Sequence, residues 1–197
     1  LRMTLPYLTY LTVFTYGFMP TGELVVPDDE EIIALAREYG VAPMMMLSTL
    51  TAEGRFSNDL STQLLTNPTL QTTVIQNVID TLVAKNYYGL EIDFEYVKPE
   101  ERDAYTEFIR RMTEAANAQG FPVGVALAPK TSADQPGLLY EAHDYPAIGA
   151  IADFVLLMTY EWGYTYSPPM AVAPIDKVEA VVNYALTEIP AEKINMG

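Results

Sequence analysis

The stretch YYGLEIDFEYV, Tyr87 to Val97, sets Glu91, Asp93 and Glu95 at alternate positions with Leu90, Ile92 and Phe94 between them. An extended chain repeats every two residues, so the three acids share one face, roughly 6.6 Å apart along it. If that face is enclosed, each neighbouring ionised pair repels by about 2 kcal/mol at an effective dielectric near 20, before any desolvation is counted. Such a stack of charge is costly for a fold and useful for chemistry.

Outward from this segment the pattern alternates. Before it, Val74, Ile75, Val78, Ile79, Leu82 and Val83 trace a helical stripe that opens after Asn67-Pro68. After it, Pro99, Glu100 and Glu101 open a helix with Tyr105, Phe108, Ile109 and Met112 on its buried side and Gly120 at its end. Further upstream, Tyr7 to Tyr16 reads as a strand, about Glu30 to Tyr39 as a helix, Val41 to Ser48 as an apolar strand whose Met44, Met45 and Met46 fill core, and Ser57 to Thr66 as a short helical turn. Downstream come strand Val123 to Ala128, a helix around Tyr145 to Ile151, strand Phe154 to Tyr160, a helix around Lys177 to Glu188, and a strand beginning at Lys193 to Met196.

Strands separated by helices, with no meander of hairpins, predict parallel strands joined by crossover helices in one α/β domain spanning residues 1–197. No Gly-rich phosphate fingerprint follows any strand. Polar and aromatic residues gather instead at strand C-terminal ends: Tyr16, Glu95, Lys130, and Tyr160 to Trp162. This favours the (β/α)₈ TIM barrel, which carries its active site on that rim. Six strands are countable, against eight strands and about 250 residues for the full barrel. The reading is therefore a barrel incomplete at both ends.

The chain of 197 residues is 50% hydrophobic and carries a formal net charge of -15. That composition describes a folded domain, and the charge opposes a phosphate backbone, which excludes nucleic acid as a natural partner. No run of about 18 apolar residues is present to span a membrane. The opening LRMTLPYLTYLTVF alternates Tyr and Thr with apolar residues and reads as a strand, not a signal peptide. There is no Cys and a single His, His143, so neither a disulfide nor a transition-metal centre is expected. No cofactor is called for. His143 reads as a cap or loop hydrogen-bonder, Lys130 as a solvated or ion-paired lysine, and the acids of Asp28 to Glu31 and Glu100 to Asp103 as surface charge in first helical turns.

The segment Gly89-Leu90-Glu91-Ile92-Asp93-Phe94-Glu95 resembles the signature strand of family 18 glycoside hydrolases, the chitinase and N-acetylglucosaminidase family, in which acids alternate along the fourth barrel strand. Asp93 and Glu95 match its last two acids. The continuation Glu95-Tyr96-Val97 and the segment YEAHDYPAIGAIADFVLLMTYEWGY, Tyr140 to Tyr164, are similar to a bacterial branch associated with spore germination and cortex lysis. The chain departs from the pattern in having Tyr88 at the first signature acid, Glu91 where Asp is usual, and Glu161 after the Tyr of the sixth strand where Asp is common. On this resemblance the chain runs from the second barrel strand to the seventh, without the last strand whose Trp floors the sugar site.

The resemblance implies a retaining hydrolase of N-acetylglucosamine-containing polysaccharide, peptidoglycan of the spore cortex in preference to chitin, placed at the cell envelope, in the spore or outside the cell. Two neighbouring carboxyls on one strand do not flank a bond as ordinary retaining pairs do, so the sugar's own acetamide serves as nucleophile. Glu95 is then the acid and base, Asp93 orients the acetamide, and Tyr160 donates a hydrogen bond to it. Parity places Met158, Tyr160 and Trp162 on one face of the sixth strand, and Tyr16 ends the first strand in a comparable place; Met158, Trp162 and Tyr16, with Glu91 and Glu161, are the expected substrate contacts. Close carboxyls do not all ionise, so the trio is expected to share protons and keep Glu95 protonated near neutrality. Two alternatives stand beside this reading: a glycan-binding module that does not cleave, and an inert barrel fragment.

Overall fold

The computed structural model describes residues 1–197. Strand β1 (Tyr10–Phe18) is followed by β2 (Leu24–Val25), β3 (Ala42–Ser48), β4 (Gly89–Asp93), β5 (Val123–Leu127), β6 (Phe154–Leu157) and β7 (Ile194–Met196) in one sheet of order β2-β1-β3-β4-β5-β6-β7. Every pairing is parallel except β1 with β2. The six parallel strands are those the alternation predicts. The two-residue β2 is too short to carry a period, and it folds back on Gly17 and Phe18 through a turn at Gly22, whose φ of 88° suits a residue without Cβ.

Helices α1 (Glu30–Glu38), α2 (Asn58–Thr66), α3 (Pro68–Ala84), α4 (Arg102–Asn117), α5 (Tyr145–Ile151) and α6 (Ile175–Glu188) form the crossovers. Their starts follow local chemistry. Ser57 Oγ accepts from the Leu60 N–H, Asn67 Oδ1 from those of Thr69 and Leu70, and Asp144 Oδ1 from that of Ala147. Pro68 follows its cap in the first turn of α3, where the missing N–H costs nothing.

One face of the sheet meets these helices in a core that includes Leu90, Ile92 and Phe94 of the acidic segment, Val74, Val78 and Leu82 of α3, and Phe108 and Met112 of α4. Each such fully buried side chain contributes about 1.5–3 kcal/mol. The other face is concave. Tyr10 of β1 and Phe154 of β6 are far apart in the strand order, yet their rings stack at 6.4 Å, which requires the sheet to curl round into a half-barrel. Gly124 permits this: a Cβ there would lie 2.1 Å from the Phe154 ring.

Several boundaries differ from expectation. Leu5–Tyr7 is a 3-10 turn opened by Pro6, so β1 starts later than predicted and runs on to Phe18. β4 stops at Asp93 and β6 at Leu157, leaving Glu95 and Tyr160 on loops at the strand ends. The acids predicted as surface charge include two that are not. Asp29 is fully buried, taking hydrogen bonds from Tyr16, from Tyr87 at 2.5 Å and from Lys85, and Glu101 is 7% exposed.

Candidate active site

Glu91 and Asp93 stand on the concave face, as the period of two requires, because Leu90 and Ile92, which alternate with them, face the helices. Glu95 keeps the same parity beyond the strand end and opens into a cleft of about 380 Å³ at the C-terminal rim. Tyr96, Tyr140, Met158, Tyr160 and Trp162 help to line it, with Glu161. The parity of the sixth strand thus survives past Leu157, and Met158, Tyr160 and Trp162 all reach one cleft. The Trp162 indole N–H donates to the Thr159 carbonyl at 3.1 Å, which holds the ring at the rim.

The electrostatics are those of crowded carboxyls. Asp93 is 6% exposed, its Oδ1 has no hydrogen-bond partner, and burial, then the charges of Glu95 and Glu91, push its carboxyl up to about 7. Burial and then the charge of Glu161 raise Glu95. Burial raises Tyr160, followed by the charges of Asp93, Glu91, Glu161 and Glu95, so this phenol and the four carboxyls form one neighbourhood.

Glu91 sits apart from the cleft, in a smaller hollow of about 160 Å³ inside the half-barrel, where the Thr12 hydroxyl donates to it at 2.8 Å. Burial raises its carboxyl, and the bond from Thr12 opposes this. Tyr16 is not in the cleft at all. β1 gains a residue relative to β3 between Val13 and Tyr16, which reverses its parity and turns Tyr16 toward the helices, onto Asp29. Thr15 takes the concave side in its place, 2.9 Å from Ser48.

Lys130 is neither solvated nor ion-paired. It is 1% exposed, and its ammonium donates to the carbonyls of Ala133 and His143 at 3.0 and 3.1 Å. His143 is buried in hydrogen bonds to backbone, as its reading as a loop hydrogen-bonder implied.

The sequence description of Glycosyl hydrolases family 18 matches residues 3–197. The chain belongs to this family. Among its relatives are the cortical fragment-lytic enzyme of Bacillus subtilis (strain 168), 41% identical over all of this chain and 45% of that protein, and the putative sporulation-specific glycosylase YdhD of the same organism, 32% identical over 98% of this chain and 45% of that protein. The chain therefore spans a little under half the length of the curated relatives it matches. The crystal structure of the Bacillus cereus spore cortex-lytic enzyme SleL superposes with a TM-score of 0.94 at 38% identity, over the whole of this chain and 45% of that one. A chitinase from Chromobacterium violaceum shares the fold, with a TM-score of 0.92 at 23% identity over all of this chain and 62% of that one.

The six parallel strands match part of the barrel of these family 18 structures. Five cleft residues escaped the sequence reading: Tyr96, Pro129, Leu139, Tyr140 and Tyr164. Tyr96 enters by leaving the alternation, with φ at 55°, and Tyr140 arrives on the loop before α5. Glu161 has φ at 60°, so the residue after Glu95 and the residue after Tyr160 are both left-handed, at about 1–2 kcal/mol each. Neither departure leaves a mark in hydrophobic periodicity.

Proposed function

We propose that the chain is catalytic sequence of a retaining glycoside hydrolase acting on N-acetylglucosamine-containing glycan, spore-cortex peptidoglycan in preference to chitin, with the substrate's acetamide as nucleophile. The observation that carries the reading is the pairing of Glu95, raised and facing the cleft, with Asp93, buried beside it and raised to about 7.

In the first step Glu95 gives its proton to the glycosidic oxygen as the bond from that oxygen to C1 breaks. The acetamide carbonyl oxygen bonds to C1 and forms an oxazolinium ion. Asp93, part-ionised at neutral pH, orients the acetamide and in its carboxylate form stabilises the positive charge on it, while the Tyr160 hydroxyl donates to the acetamide oxygen. In the second step water adds to C1 and gives a proton to the Glu95 carboxylate, the acetamide is released, and configuration is retained. Aromatic faces of Trp162, Tyr96 and Tyr140 suit the apolar side of a pyranose. The names of the Bacillus relatives support a cortex substrate.

The test is Glu95→Gln, read by mass spectrometry of fragments released from cortex peptidoglycan. Turnover should fall by about 10²–10⁴-fold with glycan binding retained. Undiminished hydrolysis by this variant would refute the assignment.

A further inference from the structure

The ladder between β4 and β5 pairs Leu90 with Val123 and Ile92 with Val125, and its continuation would pair Phe94 with Leu127 and bond the Phe94 carbonyl to the Ala128 N–H. That rung is absent. The His143 imidazole stands in its place: Nδ1 accepts from the Ala128 N–H at 2.9 Å, and Nε2 lies 3.2 Å from the Phe94 carbonyl oxygen. A backbone N–H pointing at Nδ1 makes that nitrogen the acceptor, so the proton is on Nε2 and is donated to Phe94.

We propose that His143 is a positioning residue for Glu95, a neutral imidazole wedge that replaces the last β4–β5 rung, holds the two strand ends apart and fixes the Phe94 peptide so that Glu95 enters the cleft. The inference rests on the reading of Glu95 as the acid. Its mechanical basis is that Phe94 is clamped on both sides. Its ring stacks on Tyr105 and Phe108 at 5.6 Å each, and its carbonyl is held by the imidazole, leaving little freedom for the backbone between Asp93 and Glu95.

The wedge is itself held. The Lys130 ammonium donates to the His143 carbonyl, the Tyr145 hydroxyl donates to the Ala128 carbonyl at 2.6 Å, and the Lys130 N–H donates to the Tyr145 hydroxyl at 3.1 Å. The groups facing the imidazole are backbone, the Tyr105 ring at 5.9 Å and the nearby Lys130 cation, with no carboxylate hydrogen-bonded to it. Burial, with Lys130 as a smaller cause, brings His143 down to about 4, and the bond to Phe94 opposes this.

His143 is the only histidine, so ¹⁵N NMR of the folded protein reads a single imidazole. It should show the proton on Nε2, slow to exchange, with no titration between pH 5 and 8. Kinetics on an N-acetylglucosamine oligosaccharide should show kcat at least about tenfold lower in His143→Leu, with KM within about threefold and partial recovery in His143→Gln, which keeps a donor for Phe94. A proton on Nδ1, titration near the free value of about 6.5, or parental kcat in folded His143→Leu would overturn the proposal. Hydrolysis retained by Glu95→Gln would instead sink the reading of the acid, and the two failures are separately visible.

Discussion

Asp93 is the residue at which fold and chemistry pull in opposite directions. Its carboxyl goes from 3.8 in the unfolded chain to about 7 in the fold, so the folded state binds the proton more tightly. For a raised acid, stability is unaffected below pH 3.8 and is lost progressively as pH rises through about 7, by up to about 4 kcal/mol. Asp93→Asn should therefore raise the melting temperature most above pH 7, with the gain shrinking as pH falls toward 4. An equal gain at every pH would contradict the burial argument. Glu161 supplies the charge, after burial, that raises Glu95. Glu161→Gln should thus lower the Glu95 pKa and move the alkaline limb of the kcat/KM profile to lower pH, a shift that rate measurements across pH would detect. Parity in the sequence found Glu91, Asp93, Met158, Tyr160 and Trp162 on the right face. The strand-end reading failed for Tyr16, because one extra residue in β1 leaves no trace in a string of Tyr, Thr, Val and Phe. The surface reading failed for Asp29 because the first-turn rule assumes solvent, whereas Tyr16, Tyr87 and Lys85 converge there from elements distant in sequence.

At the scale of the element, β4 is shorter than its alternating pattern. The alternation runs to Glu95 but ladder pairing ends sooner, since continuing a period of two requires only an extended chain, not a neighbouring strand. Phe94, at this boundary, anchors the segment through rings of Phe18 at 6.1 Å and of Tyr105 and Phe108 at 5.6 Å. Phe94→Ala should cost about 3–5 kcal/mol in urea unfolding, with an unchanged m-value. A loss below about 1 kcal/mol would mean the cluster does not hold the acidic segment. Most helices were legible because they carry a local start or stop: Ser57, Asn67-Pro68, Asp144, Gly40 and Gly120 act within a turn of the chain. Loops such as Tyr160 to Val172 carry no period, and the left-handed Tyr96 and Glu161 lie where local rules offer nothing.

For the whole molecule, the alternation of strand and helix predicted the parallel order, and the curl follows from side chains facing across the concave side. Tyr10 and Phe154 meet there, above a hollow where Glu91 and Thr12 pair. No helix is long and apolar enough to cross a membrane. What the curl achieves is convergence: β4 brings Asp93 and Glu95 to the same rim to which the chain leaving β6 brings Met158, Tyr160 and Trp162. In the proposed mechanism this rim leaves the nucleophile to the substrate, since Asp93 and Glu95, from one strand, lie together on one side. Two oligosaccharides differing only at C2 of the sugar whose bond is cut, one with an acetamide and one with a free amine, test it most directly. An acetamide nucleophile requires that only the acetamide substrate be cleaved; equal rates for both would rule it out.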